Sequence, residues 1–298
     1  MEKITFKTED GKAYHLEVEK LNPNILSGGS PGRVRQIADY LDNAEVEEGK
    51  RGMTVVHGDY KGIPVSAFPT GMGPASTSII IPEVIESAVD GPLTILRLGT
   101  AGSLQSHVKV GDLAVITGSV RDETTTSAAV GTEYPAIASP ELIPIILATA
   151  EKHGYELGEN LWTGINHVKD DLYFKETPQF SPSREIMEPR LKSYKRMGTV
   201  ASSMEFSVYA IMRDFYEGRR SGKVLTGGIL AIIAAAEEED AVEVDKKQKK
   251  KLVKGMIESG LDTLKVVNQF RNDEEINMNF SKIIAKMIQT PSRYELQK

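Results

Sequence analysis

Thr94-Ile95-Leu96-Arg97-Leu98-Gly99-Thr100-Ala101-Gly102 is apolar and β-branched apart from one arginine, and it runs into a glycine-rich turn. It reads as a buried strand with a fixed positive charge near its end. Such a charge is costly unless an anion meets it. Two other strand-like runs end similarly, in Ser27-Gly28-Gly29-Ser30-Pro31-Gly32-Arg33 and in Thr70-Gly71-Met72-Gly73-Pro74. Glycine at a strand-to-helix turn permits positive φ and lets backbone approach a ligand closely. The helices after these two turns offer free amide groups and a dipole that favours an anion.

Outward from these turns the pattern is that of an α/β fold. Further strands are predicted around Ile25, over Thr54 to Tyr60 and Ile63 to Thr70, from Asp112, from Leu161 and from Lys223. Helices are predicted over Pro31 to Leu41, Pro74 to Ala88, Pro140 to His153 and Ser203 to Glu217. In the last, Met204, Val208, Ile211 and Phe215 repeat at helical spacing and form a buried stripe. From about residue 241 the chain reads as helical, with Val253, Met256, Ile257, Leu264 and Val267 on one apolar face. No Pro/Gly/Ser-rich linker divides the sequence, so residues 1–298 are expected to form a single domain.

Composition removes several functions. The net charge is −6, from 36 basic and 42 acidic residues, and nucleic-acid coats are usually basic. Lys246, Lys247, Lys249, Lys250 and Lys251 follow the acidic run Glu237 to Asp240 and are read as a solvated helix face. Cysteine is absent, which excludes disulfides and thiol catalysis. The five histidines include no pair at helical metal-ligand spacing, so no metal is expected. The longest apolar stretch falls far short of the ~20 residues that span a bilayer. The N-terminus is too charged for a signal peptide. A cytoplasmic protein without nucleic-acid or membrane partners is expected.

Two side chains carry open alternatives. Arg97 either pairs with a carboxylate or joins Arg33, the Gly29 amide and the Thr100 hydroxyl around a phosphate-sized anion. Arginine suits the second task because its planar fork donates parallel hydrogen bonds and stays charged. Glu205 closes Ser202-Ser203-Met204-Glu205, which matches a capping box. A carboxylate at a helix start can equally accept the vicinal hydroxyls of a sugar. Gly71-Met72-Gly73 begins a dinucleotide fingerprint, but Ser76 replaces its third glycine, and no acidic residue ends the next strand to hold a ribose.

Together the glycine turns, the two arginines and the Met204-Glu205 pair resemble the nucleoside phosphorylase superfamily, in its hexameric-type branch and closest to uridine phosphorylases. The resemblance runs from about His15 to Ile233 and includes Val110-Gly111-Asp112-Leu113, Glu133-Tyr134-Pro135-Ala136 and Lys195-Arg196-Met197-Gly198. It implies a three-layer α/β/α fold with a twisted, partly closed mixed sheet. It also implies phosphorolysis of a nucleoside by inorganic phosphate, a co-substrate, with no cofactor. The phosphate site falls on Gly29, Arg33, Arg97 and Thr100, with Arg51 from a neighbouring subunit. The ribose site falls on Thr100, Met204 and Glu205, with His15 from the neighbour, and the base site on Ala101, Gly102, Tyr173, Gln179 and Ile233. Arg97 and Glu205 are the implied catalytic pair. A homodimer is the minimal active unit, and a hexamer the larger alternative.

The glutamine and arginine with which uridine phosphorylases read uracil do not align in Tyr173 to Phe180, where Gln179 or Arg184 stands in. The purine branch places an aspartate near Ile233 to protonate its leaving base, and an isoleucine has no proton to give. The expectation is therefore uridine phosphorolysis. Its rivals are a purine phosphorylase, a nucleosidase, and a catalytically degenerate nucleoside-binding relative.

Overall fold

The computed structural model describes residues 3–235, 245–276 and 278–290. Its strands are β1 (Asn24–Gly28), β2 (Asp42–Glu48), β3 (Thr54–Tyr60), β4 (Ile63–Pro69), β5 (Leu93–Ser103), β6 (Leu113–Asp122), β7 (Ala136–Ile137), β8 (Leu161–Lys169), β9 (Ala201–Ser203) and β10 (Val224–Ala234). Its α-helices are α1 (Pro31–Ala38), α2 (Gly73–Ser87), α3 (Leu142–Lys152), α4 (Tyr173–Glu176), α5 (Arg184–Arg196), α6 (Phe206–Glu217), α7 (Lys246–Arg271) and α8 (Phe280–Gln289).

All strands join one mixed sheet in the order β10-β6-β8-β9-β5-β1-β4-β3-β2, with β7 attached to β6. Because β10 also pairs with β5, strands β5, β10, β6, β8 and β9 close into a ring while β1, β4, β3 and β2 continue as an open wing. This is the partly closed mixed sheet that was expected. Strand β5 pairs in parallel with both β1 and β10, as in a sheet buried on both faces. One face is covered by α2 and α6 through Ile80, Ile81, Val84, Phe206 and Tyr209. The other is covered by α1, α3 and α7 through Val34, Ile37, Leu142, Met256 and Leu264.

The structure corrects three expectations. Leu98 to Gly102 is not a turn: β5 runs on to Ser103 because β10 pairs with it as far as Gly102 and β9 pairs at Gly102 and Ser103. Arg97 therefore lies mid-strand. The helix expected from Ser203 begins at Phe206, since Ala201 to Ser203 are held in β9. Met204 thus precedes the helix, while Val208 and Ile211 form its buried stripe and Phe215 packs partly buried against the same core. The exposed strand β2 and helix α5 were not anticipated. The acidic run Glu237 to Asp240 lies outside the described residues.

Candidate active site

Arg97 stands opposite Ser27 of β1 and Gly228 of β10 and is 3% exposed. Glycine at 99 makes room for it. A Cβ there would lie 3.0 Å from Arg97 Nη2 and 2.5 Å from Leu230 Cδ2. Arg97 Nη2 donates to Glu205 Oε2. Its Nε and Nη1 are buried and have no hydrogen-bond partner. Burying charged donors without full hydrogen bonds costs free energy, so these two nitrogens call for a further acceptor beyond the Tyr209 hydroxyl that lies close to the guanidinium.

Glu205 is not the reaching residue of a capping box. It directly precedes α6 and makes no side-chain cap bond, and Ser202 Oγ instead accepts from Lys169 Nζ and lies 3.2 Å from His167 Nδ1. Its carboxylate faces the other way. Oε1 accepts the Gly73 amide at 3.1 Å, and Oε2 accepts the Met204 amide at 3.3 Å besides the Arg97 bond. Gly73, with φ +82°, adopts the left-handed backbone that turns this amide toward the carboxylate. One of the free amides expected at the start of α2 is therefore taken by Glu205.

Arg33 arrives from the first turn of α1, whose N-cap Ser30 accepts the Arg33 amide. Its stem lies over Gly28, where a Cβ would sit 3.5 Å from Arg33 Cδ, and its Nη1 donates to the Leu98 carbonyl at 3.1 Å. Burial, and then the Arg97 charge, push the Arg33 guanidinium down to about 10, against an opposing pull from Glu205. The glycine turns meet beside it. Thr70 N donates to Gly28 O at 2.9 Å, and a Cβ on Gly29 would lie 3.7 Å from Gly71 O. Behind them the buried Tyr209 hydroxyl sits 2.7 Å from Ser27 Oγ. Two guanidinium groups and one carboxylate leave this pocket with a net positive charge.

Of the other predicted residues, Thr100 follows on β5, half-buried, and Met204 Cε approaches Gly73. His15 and Arg51, assigned to a neighbour's site, are elsewhere. His15 Nδ1 is 2.7 Å from Glu83 Oε1, and Arg51 is exposed between β2 and β3 with no hydrogen bond or ion pair among the described residues. Tyr173 and Gln179 are exposed on the segment after β8. Ala101 is buried, and Gly102 lies against Glu176, whose Oε1 would be 3.2 Å from a Cβ there. Ile233 falls at a bulge in β10 and packs against the core beneath α7, so Ala234 takes the place opposite Gly102.

A second buried cluster, missed in the sequence, surrounds Gly102. Register aligns Gly102 with Ser202 and Ser202 with His167, while Lys169 pairs with Asp122. Lys169, 1% exposed, meets Glu176 Oε2 at 2.5 Å and donates to Ser202 Oγ, which itself lies 3.0 Å from Glu176 Oε2. His167 Nε2 is 3.0 Å from Asp122 Oδ2, and its Nδ1 is 3.2 Å from Ser202 Oγ. Burial raises Asp122, but the His167 hydrogen bond and the Lys175 and Arg190 charges together hold it below the usual carboxylate range. The available signal was His167 and Lys169 two residues apart in a strand, hence on one face.

These features define an α/β fold whose partly closed sheet holds two arginines and one carboxylate at its centre. A family profile described as the phosphorylase superfamily matches residues 24–258, and the chain belongs to that family. It is 29% identical over 218 residues to a guanosine phosphorylase of Halorubrum lacusprofundi, covering 72% of this chain and 82% of that one. It is 33% identical over 169 residues to a uridine phosphorylase of Thermococcus kodakarensis, covering 56% and 58%. It is 31% identical over 219 residues to a DeoD-type purine nucleoside phosphorylase of Geobacillus, covering 72% and 85%. The fold matches a crystal structure of uridine phosphorylase from Vibrio fischeri with TM-score 0.70 at 24% identity, over 86% of this chain and 98% of that one.

Proposed function

We propose that this nucleoside phosphorylase cleaves nucleosides whose base presents a carbonyl beside an N–H, with uridine preferred. The carrying observation is Arg97, buried beside Arg33 and Glu205 with two N–H directions unmet. Inorganic phosphate fills that deficit with charge-assisted, bidentate hydrogen bonds. Held there, it becomes an oriented nucleophile rather than a diffusing one.

In this reading Glu205 holds the ribose hydroxyls. A phosphate oxygen bonds to C1′ as the C1′–N bond breaks, and the electron pair leaves on the base. The proton carried in by monohydrogen phosphate ends on the base nitrogen, giving free base and ribose 1-phosphate. The adjacent phosphate offsets positive charge that develops on the sugar. Lys169 and Glu176, beside Gly102, form a donor and an acceptor that match the C=O and N–H of uracil. They take the place of the family's absent glutamine and arginine.

A second reading, a 6-oxopurine nucleoside, is favoured by the same pair, because hypoxanthine and guanine present the same edge. Against it stands Ala234 opposite Gly102, which cannot protonate a departing purine. Amino-bearing bases invert the pattern and leave buried groups unpaired, which discriminates strongly.

Base release from uridine, thymidine, inosine, guanosine, adenosine and cytidine, with and without phosphate, tests the proposal. Uridine turnover that requires phosphate is expected, with adenosine and cytidine poorest. Release without phosphate would make the protein a nucleosidase. Preference for adenosine would overturn the base assignment.

A further inference from the structure

The lysine run read from sequence as a solvated face has a more definite place. A cavity of about 930 Å³ separates α1 from the first turns of α7, and Arg33 lines it from the α1 side. Facing Arg33 are six lysines of α7 between Lys246 and Lys254, and the only carboxylate in the lining is Asp39. Only Lys254 has an ion pair among the described residues, to Glu258 at 3.7 Å. Lys246, Lys247, Lys249, Lys250 and Lys251 are all exposed.

This placement works against the helix. Cations near a helix N-terminus oppose the macrodipole, and like charges four apart, as in Lys246 with Lys250 and Lys247 with Lys251, repel. The first turn of α7 contains no acidic residue, and Asp245 at the N-cap makes no side-chain cap bond. A local rule broken this thoroughly points to function. The whole chain carries −6, so its average field repels phosphate. A concave basic wall reverses that field locally and raises anion concentration within it. Arg33 belongs both to this wall and to the Arg97 pocket.

We infer that the α1–α7 groove is an entry basin for inorganic phosphate, concentrating the anion and delivering it past Arg33 to Arg97. The inference rests on the phosphorolysis reading. It gives the first turns of α7 a role in phosphate capture, separate from the chemistry.

The test replaces four lysines together, Lys246→Gln, Lys247→Gln, Lys250→Gln and Lys251→Gln, and compares steady-state rates at low and high salt. At ~0.01 M ionic strength, where fields reach ~30 Å, kcat/KM for phosphate is expected to fall about tenfold. At ~1 M the difference disappears, because screening confines fields to ~3 Å. The kcat and the KM for nucleoside stay unchanged, and the melting temperature stays level or rises, whereas a structural role would lower it. Unchanged kcat/KM for phosphate at low salt, with phosphorolysis intact, would overturn the inference. So would loss of binding to RNA or anionic vesicles without any change in phosphate kinetics. If the unsubstituted chain shows no phosphate-dependent turnover, the phosphorolysis reading fails instead. Calorimetry with inorganic phosphate on both proteins then decides the groove: weaker binding by the variant supports it, and equal binding refutes it.

Discussion

Two buried ionic clusters are finished to different degrees. Around Asp122, every charged group meets a partner: His167, Lys175 and Arg190 surround the carboxylate, and Lys169 meets Glu176 and Ser202. Around Arg97, two cations lie beside one carboxylate, and two buried guanidinium nitrogens make no full hydrogen bond, with the Tyr209 hydroxyl close by. Burial alone therefore does not mark a ligand site, because Arg97 and Lys169 are both almost wholly buried. The deficit does. A saturated network keeps its geometry without a ligand and can at most exchange bonds with a neutral partner, whereas an unsaturated one has room for a charge that arrives from outside.

The largest effect that would break this contrast is at Arg97. Charge-assisted hydrogen bonds contribute about 1.5–3 kcal/mol each, and phosphate would take two from this side chain. Arg97→Ala is thus expected to slow phosphorolysis by roughly two to four decades, at ~1.36 kcal/mol per decade. Near-normal turnover in saturating phosphate would show that Arg97 serves only to neutralise Glu205. A thermal scan sharpens the point. If the pocket binds phosphate, the anion at about 100 times its Kd should stabilise the unsubstituted protein by about 2.7 kcal/mol, and Arg97→Ala should lose most of that rise.

Lys169 probes the saturated side. In the proposed reading, Lys169→Met removes one charged donor to the base and leaves the Arg97 pocket unchanged. The nucleoside kcat/KM should fall about 10- to 100-fold, with the KM for phosphate unchanged. Glu176→Gln turns an acceptor into a group that can also donate, so it should narrow the preference for uridine over cytidine. If both variants keep wild-type base selectivity, the cluster is structural and the base is read elsewhere.

The frame was legible in sequence wherever periodicity was strong. The apolar runs at Ile25, Thr54, Ile63, Thr94, Leu161 and Lys223 each became a strand, because each is buried on both faces or by alternation. Strand β2 was not legible, since Asp42-Asn43-Ala44-Glu45-Val46-Glu47-Glu48 is exposed throughout and shows no apolar period. It exists through pairing with β3 at an acidic edge, the composition that discourages further strands from adding. At the site, Arg97 stood out as a charge in an apolar strand, and Arg33 as a cation in the first helical turn after a glycine-rich turn. The direction of Glu205 did not, because Ser202 to Glu205 fits a capping box as well as a strand end. The Lys169–Glu176 contact was hidden for another reason. It depends on where the segment after β8 folds back, which no local spacing encodes.

The smallest effect separates the clusters by pH, and its sign is informative. Asp122 and Arg33 are both shifted downward, yet the shifts mean opposite things. For the acid, a lowered value means the charge is favoured in the fold. Its stabilisation is complete above the unfolded value of about 3.9 and is lost as pH falls through the depressed folded value. Asp122→Asn should therefore flatten the acid limb of a melting-temperature profile while lowering the plateau at neutral pH. For the base, a value of about 10 means the charge is disfavoured. That cost is fully present at neutral pH and is relieved only as pH rises above about 10 toward the higher value of the unfolded chain. Arg33→Gln should consequently raise the phosphate-free melting temperature at pH 7 by a few degrees, about 1 kcal/mol. In saturating phosphate the order should reverse, because the arriving dianion compensates the charge that the empty pocket strains to hold. A fall in both conditions would mean that the Leu98 carbonyl contact outweighs burial. In that case Arg33 would belong with the saturated cluster rather than with the anion pocket.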